Sequence, residues 1–198
     1  MNNLRELLKA LSISFLLLLI LSGLAPAQDR SGLQSFGAVY SNGRLSFRYR
    51  SPGGMHDETA SARAAIQAQA IGHPATKTLD LLLKMSSGSD DMVSTWHSLS
   101  IETYPRDALG NLDDADAEAK MTAWVVGLAN LPVAPKSVVL SGQSFAVSVL
   151  ARGDEKGKKG AVVWTTIRNG KLLSFAFVAN SPQQLTTLTE SMKSIEFF

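Results

Sequence analysis

The 198-residue chain contains no cysteine, which excludes disulfide staples, thiolate chemistry, cysteine-ligated metals and an acylated lipoprotein anchor. Histidine is scarce as well: His56, His73 and His97 stand alone, and no spacing groups them with Asp57, Asp80 or Asp107 as base and orienting acid. Charge of one sign is also missing. With 19 basic and 17 acidic residues dispersed along the chain, there is no electrostatic footprint for nucleic acid or an anionic membrane. Dinucleotide, phosphate-loop, haem-attachment and zinc patterns are absent throughout.

What is present begins with an export pattern. Arg5 and Lys9 form a basic start, residues 10–24 are apolar apart from serines and Gly23, and Ala25-Pro26-Ala27 supplies a small-x-small cleavage site. A bilayer core takes roughly 20 apolar residues to span, so this run is short for a permanent helix and reads as a signal peptide over residues 1–27. The alternative is an uncleaved anchor, since residues 15–21 are strongly apolar. Cleavage before Gln28 takes Arg5, Lys9 and Glu6 away, so 19 basic and 17 acidic residues become 17 and 16, and the 198 residues less those 27 leave 171. Residues 28–36 read as a flexible lead, and residues 37–198 as one domain whose core holds without staples.

Within that domain the hydrophobic pattern alternates between periods of two and 3.6 residues. Asn42-Gly43 predicts a two-residue hairpin turn over residues 37–50, setting Tyr40 opposite Leu45 and Ala38 opposite Phe47, with Ser46, Arg48 and Arg50 outward. Pro52-Gly53-Gly54 ends that pairing. Residues 59–71 read as an alanine-rich helix capped by Gly72, and residues 78–85 and 96–104 as a second hairpin around a polar loop. Ala117, Met121, Trp124, Val125 and Leu128 share one face of a helix over residues 112–130, whose first turns carry Asp113, Asp114, Asp116 and Glu118.

Four strands follow, at residues 137–140, 144–152, 161–168 and 171–179. Asn169-Gly170 joins the last two and sets Trp164 opposite Phe175 and Val162 opposite Phe177. The last of the four is apolar on both faces, which predicts a central position. Ser181-Pro182 with Gln184 reads as a capped helix start, Leu185, Leu188 and Met192 as its buried stripe, and residues 195–198 as a final short strand.

Each constellation that could carry chemistry is weaker than its structural explanation. Gly142-Gln143-Ser144-Phe145-Ala146 approaches a nucleophile elbow, yet its last glycine is Ala146 and a strand pattern follows where a helix is required. His56-Asp57-Glu58 offers three ligand types in a row, but consecutive residues of an extended chain point apart. The acidic run 113–118 lacks the glycine and closing glutamate of a calcium loop. The loop 153–160, with three lysines, two acids and three glycines, leads into a strand and reads as a solvated hairpin tip.

Tyr40, Asn42, Leu45, Phe47, Tyr49 and Pro52 resemble the opening of exported PsbP-like (Mog-type) domains. Phe175, Phe177, the Ser181 helix start, Leu185, Leu188 and Ser194-Ile195-Glu196-Phe197 are similar to their close. The chain departs from that pattern at Gly53-Gly54-Met55, where relatives often carry Pro-Gly-Trp. The resemblance implies an α+β fold, an α/β/α sandwich with a mainly antiparallel twisted sheet of about six to eight strands and helices on both faces. It also implies a binding or assembly role. The expectation is therefore an exported, non-catalytic domain of the periplasm or exterior, with no catalytic, cofactor-binding or metal residue and no cofactor. Its partner is another envelope protein or an apolar ligand, not nucleic acid, and no stable membrane span remains after cleavage. Two other readings stay open: a serine hydrolase using Ser144 or Ser98 with a histidine, and a lipid or small-ligand carrier.

Overall fold

The computed structural model describes residues 37–70, 80–88, 96–105, 136–152 and 160–198. The leader and lead at residues 1–36, Gly72, His73, Asp107, the helix expected over residues 112–130 and the loop residues 153–159 lie outside them.

The first hairpin pairs β1 (Val39–Asn42) with β2 (Phe47–Arg50). Its turn differs from the expected one. Tyr40 faces Tyr49 and Asn42 faces Phe47, so residues 43–46 form a four-residue loop. Two local features favour the longer loop. The Leu45 backbone N–H donates to Asn42 Oδ1 at 3.1 Å, and Ser46 takes the left-handed backbone (φ 51°) that closes the turn. Relative to the expected pairing the β2 partner moves by four residues, an even number, so no side chain changes face. Leu45, Phe47 and Tyr49 are accordingly buried while Arg48 and Arg50 are exposed.

His56–Asp57 form a two-residue strand, β3, that the sequence did not announce; it pairs with β4 (Asp80–Ser87). Asp57 Oδ1 accepts from the Thr59 N–H at 2.8 Å and starts helix α1 (Thr59–Ala70). β4 then pairs with β5 (His97–Pro105) as the second hairpin. Ser86 and Ser87 belong to the strand rather than to the polar loop expected there, because the ladder continues to Ser87 opposite His97.

β6 (Lys136–Leu140), β7 (Gln143–Arg152), β8 (Gly160–Arg168) and β9 (Lys171–Ala179) complete a seven-stranded antiparallel sheet in the order β3-β4-β5-β9-β8-β7-β6. β9 is its central strand, as its two apolar faces predict. Asn169 and Gly170 both take positive φ (49° and 69°), and the resulting turn sets Trp164 opposite Phe175 and Val162 opposite Phe177, as expected.

Helix α2 (Pro182–Glu190) opens with Ser181 Oγ accepting from the Gln184 N–H, and a 3-10 turn over Ser191–Ser194 leads to β10 (Glu196–Phe197). β10 pairs with β2, so the chain's last residues form a three-stranded sheet, β1-β2-β10, with its first hairpin.

The two sheets meet through aromatic rings. Phe175 lies 5.7 Å from Phe47, 5.7 Å from Tyr49 and 6.3 Å from Phe145, and Phe145 stacks edge-on to Trp164 at 5.9 Å. Leu185, Leu188 and Met192 close this core from α2 and the turn after it. The fold is thus mainly antiparallel sheet with two short described helices, α2 on the aromatic face and α1 against β4.

Candidate functional site

Where the first hairpin meets the end of the large sheet, an open cleft of about 580 Å³ is formed by four separate parts of the chain. The β1–β2 turn contributes Asn42 and Arg44, α1 contributes Arg63, the start of β4 contributes Asp80, and the β8–β9 turn contributes Asn169 and Lys171. Two turns distant in sequence are tied together here: Asn169 Nδ2 donates to the Arg44 carbonyl at 2.8 Å, and Arg168 Nε donates to the Leu45 carbonyl at 3.1 Å. Arg63 is fixed by Nε donating to the Leu81 carbonyl at 2.7 Å. Carbonyls leave a guanidinium's charge uncancelled. Among the described residues the ion pairs are Arg48–Glu196 and Lys193–Glu190, so Arg44, Arg63 and Lys171 have no described carboxylate within ion-pair distance. Among the described residues the cleft therefore carries three cations against one carboxylate, Asp80.

The face of the large sheet that points away from the aromatic core is unusual in another way. Cross-strand registers place Lys84, Ser100, Ala176, Val163 and Ser148 in one row, and Glu102, Ser174, Thr165 and Ala146 in the next. All are buried, although six of these nine carry polar side chains. Lys84 Nζ donates to Ser98 Oγ at 3.2 Å, Ser86 Oγ donates to Glu58 Oε1 at 2.5 Å, and Tyr104 OH donates to Glu102 Oε2 at 2.7 Å. The other oxygen of Glu102 has no hydrogen-bond partner among the described residues. Burial raises the Glu102 pKa above the usual carboxyl value, opposed by hydrogen bonds from Tyr104 and Ser100 and by the Lys84 charge. The Tyr104 hydroxyl is pushed well up by burial and by neighbouring Glu102.

The described residues weighed for hydrolysis are not brought together. Ser144 lies in strand β7 and contacts Ser137 Oγ at 3.3 Å, and Ser98 is 1 % exposed and accepts from Lys84; neither hydrogen-bonds to a described histidine. The contact that does form was not anticipated: Ser87 Oγ lies 2.7 Å from His97 Nδ1. Only the hairpin register, which sets Ser87 opposite His97, could have revealed it. His56, Asp57 and Glu58 diverge. His56 is exposed, Asp57 caps α1, and Glu58 accepts from Ser86. No group of three or more metal-ligating side chains forms among the described residues.

No protein-family model and no curated protein matches this chain. Among solved structures it is similar to cyanobacterial PsbP from Synechocystis sp. PCC 6803, at 13% identity and a TM-score of 0.47, over 89% of this chain and 100% of that one. It is also similar to LpqN, described as involved in cell envelope biogenesis of Mycobacterium tuberculosis, at 12% identity and a TM-score of 0.39, over 60% of this chain and 78% of that one.

Proposed function

We propose that this chain is an exported, non-catalytic binding or assembly domain of the cell envelope, and that it engages its partner at the cleft between the first hairpin and the large sheet. The observation that carries this reading is that Arg44, Arg63 and Lys171, from three separate elements, line one opening with none of them in an ion pair among the described residues. In this proposal residues 1–27 are a leader that is removed, residues 28–36 a lead, and residues 37–198 one domain released into the periplasm or exterior. No helix among the described residues is long and apolar enough to cross a membrane. The finer fold expectation, an α/β/α sandwich with helices on both faces of the sheet, belongs to the same proposal.

The test is crosslinking of the tagged full chain in its host envelope. A reproducible partner, lost in a Lys171→Glu variant that is exported normally, supports the reading; the same adducts from wild type and variant overturn it.

A hydrolytic reading has one specific observation in its favour, the 2.7 Å contact between Ser87 and His97. A serine-directed fluorophosphonate probe separates the two. We expect no labelling, and labelling that disappears in Ser87→Ala would establish the enzyme.

A further inference from the structure

From the chemistry lining the cleft we infer that it binds a phosphate ester of a hydroxylated small molecule, a phosphorylated polyol or sugar. This deepens the binding role proposed above and rests on it. Among the described lining residues, Arg44, Arg63 and Lys171 set against Asp80 leave two net positive charges, the complement of a phosphate monoester, which carries about −1.5 to −2 at neutral pH. The cations belong to three separate elements around one opening, and guanidinium and ammonium groups both donate readily to the several oxygens of a phosphate.

The space is about 580 Å³, within the range of roughly 300–1,000 Å³ typical of small-molecule sites and much more than inorganic phosphate fills. The remaining polar lining suits hydroxyl groups. Asp80 accepts, while Asn42 and Asn169 carry both donors and acceptors. Asn42 and Asn169 are themselves held, the first by Tyr40 and Leu45 and the second by the Arg44 carbonyl, so part of the site is formed before a ligand arrives.

The experiment uses the protein purified from its host's envelope, titrated with glycerol 3-phosphate, with glycerol and with inorganic phosphate, each followed by amide shifts and calorimetry. A parallel arm measures co-sedimentation with phosphatidylcholine vesicles with and without phosphatidic acid. We expect saturable binding of glycerol 3-phosphate that shifts the amides of Gly43, Arg44 and Asn169, at least tenfold weaker binding of inorganic phosphate, and none of glycerol. Arg44→Gln with Lys171→Gln should weaken binding at least tenfold without changing the thermal midpoint, since both side chains are exposed. Binding only to the phosphatidic-acid vesicles, lost in the same variant, assigns the ester to a lipid headgroup. Absence of binding in both arms, or binding indifferent to the double variant, overturns the inference. If that happens while the Lys171-dependent envelope adduct persists, the phosphate ligand falls and the partner-binding role stands.

Discussion

The Tyr104 hydroxyl donates a 2.7 Å hydrogen bond to Oε2 of Glu102, two residues back on the same strand, and both side chains are buried on the face that carries Lys84. A carboxyl in that position titrates above its ordinary value because burial penalises its charged form more than its neighbours favour it.

The sign of the stability effect follows. A raised carboxyl pKa means the folded protein holds the proton more tightly than the unfolded chain. The contribution is therefore complete below the ordinary value of 4.5 and is lost as pH rises through the higher folded value. One proton gives a slope of at most about 1.4 kcal/mol per pH unit. Glu102→Gln keeps an acceptor for Tyr104 and removes the titration, so urea unfolding as a function of pH should be flatter above pH 4.5 in the variant. Superimposable pH profiles would count against the buried, proton-retaining carboxyl.

Tyr49 meets Ser191 at 2.5 Å, and Ser191 passes its own proton to the Leu188 carbonyl, so the tyrosine is the donor. Burial raises the phenol pKa far above its usual value, and the donor therefore persists at every pH the protein tolerates. Tyr49→Phe keeps the ring and loses this bond, an expected cost of about 1 kcal/mol. A double-mutant cycle with Ser191→Ala should return most of that as coupling energy.

Phe175 is the ring on which both sheets converge, with Phe47, Tyr49 and Phe145 around it. Phe175→Ala should cost about 3–5 kcal/mol in equilibrium unfolding. Phe198, 63 % exposed, serves as the comparison, and its replacement by alanine should change stability by no more than about 0.5 kcal/mol.

A Cβ at Gly37 would stand 1.4 Å from the Ser51 carbonyl oxygen, beside the point where Ser51 N–H donates to Ala38 O at 2.9 Å and closes the hairpin. Gly37→Ala should therefore lower the unfolding midpoint by an equivalent of about 1–3 kcal/mol. Gly43→Ala, where nothing lies within 4 Å of the added methyl, should be close to neutral.

The sequence by itself determined those parts of the protein in which neighbours along the chain decide the outcome. Period-two burial in Phe47-Arg48-Tyr49-Arg50 assigned the faces of β2. Asn169-Gly170 set the β8–β9 register because a two-residue turn with two positive φ angles permits only one. Ser181, Pro182 and Gln184 marked the start of α2 because capping is satisfied within one turn. The Asn42-Gly43 signal failed where a longer loop bonds the Leu45 N–H to Asn42 Oδ1 and closes at Ser46 with a positive φ, features that dipeptide preference does not encode.

Tertiary structure alone decided the rest. β10 pairs with β2 across almost the whole domain, and Tyr49 bonds Ser191 over 142 residues; no local pattern encodes which strand a two-residue edge will join. Glu102, Lys84 and Tyr104 read as ordinary strand residues until ladder registers put them on one buried face. The cleft is the clearest case. Arg44, Arg63, Asp80 and Lys171 are unremarkable surface residues in sequence, and they become a site because a turn, a helix, a strand end and a second turn are held together by the packing of two sheets.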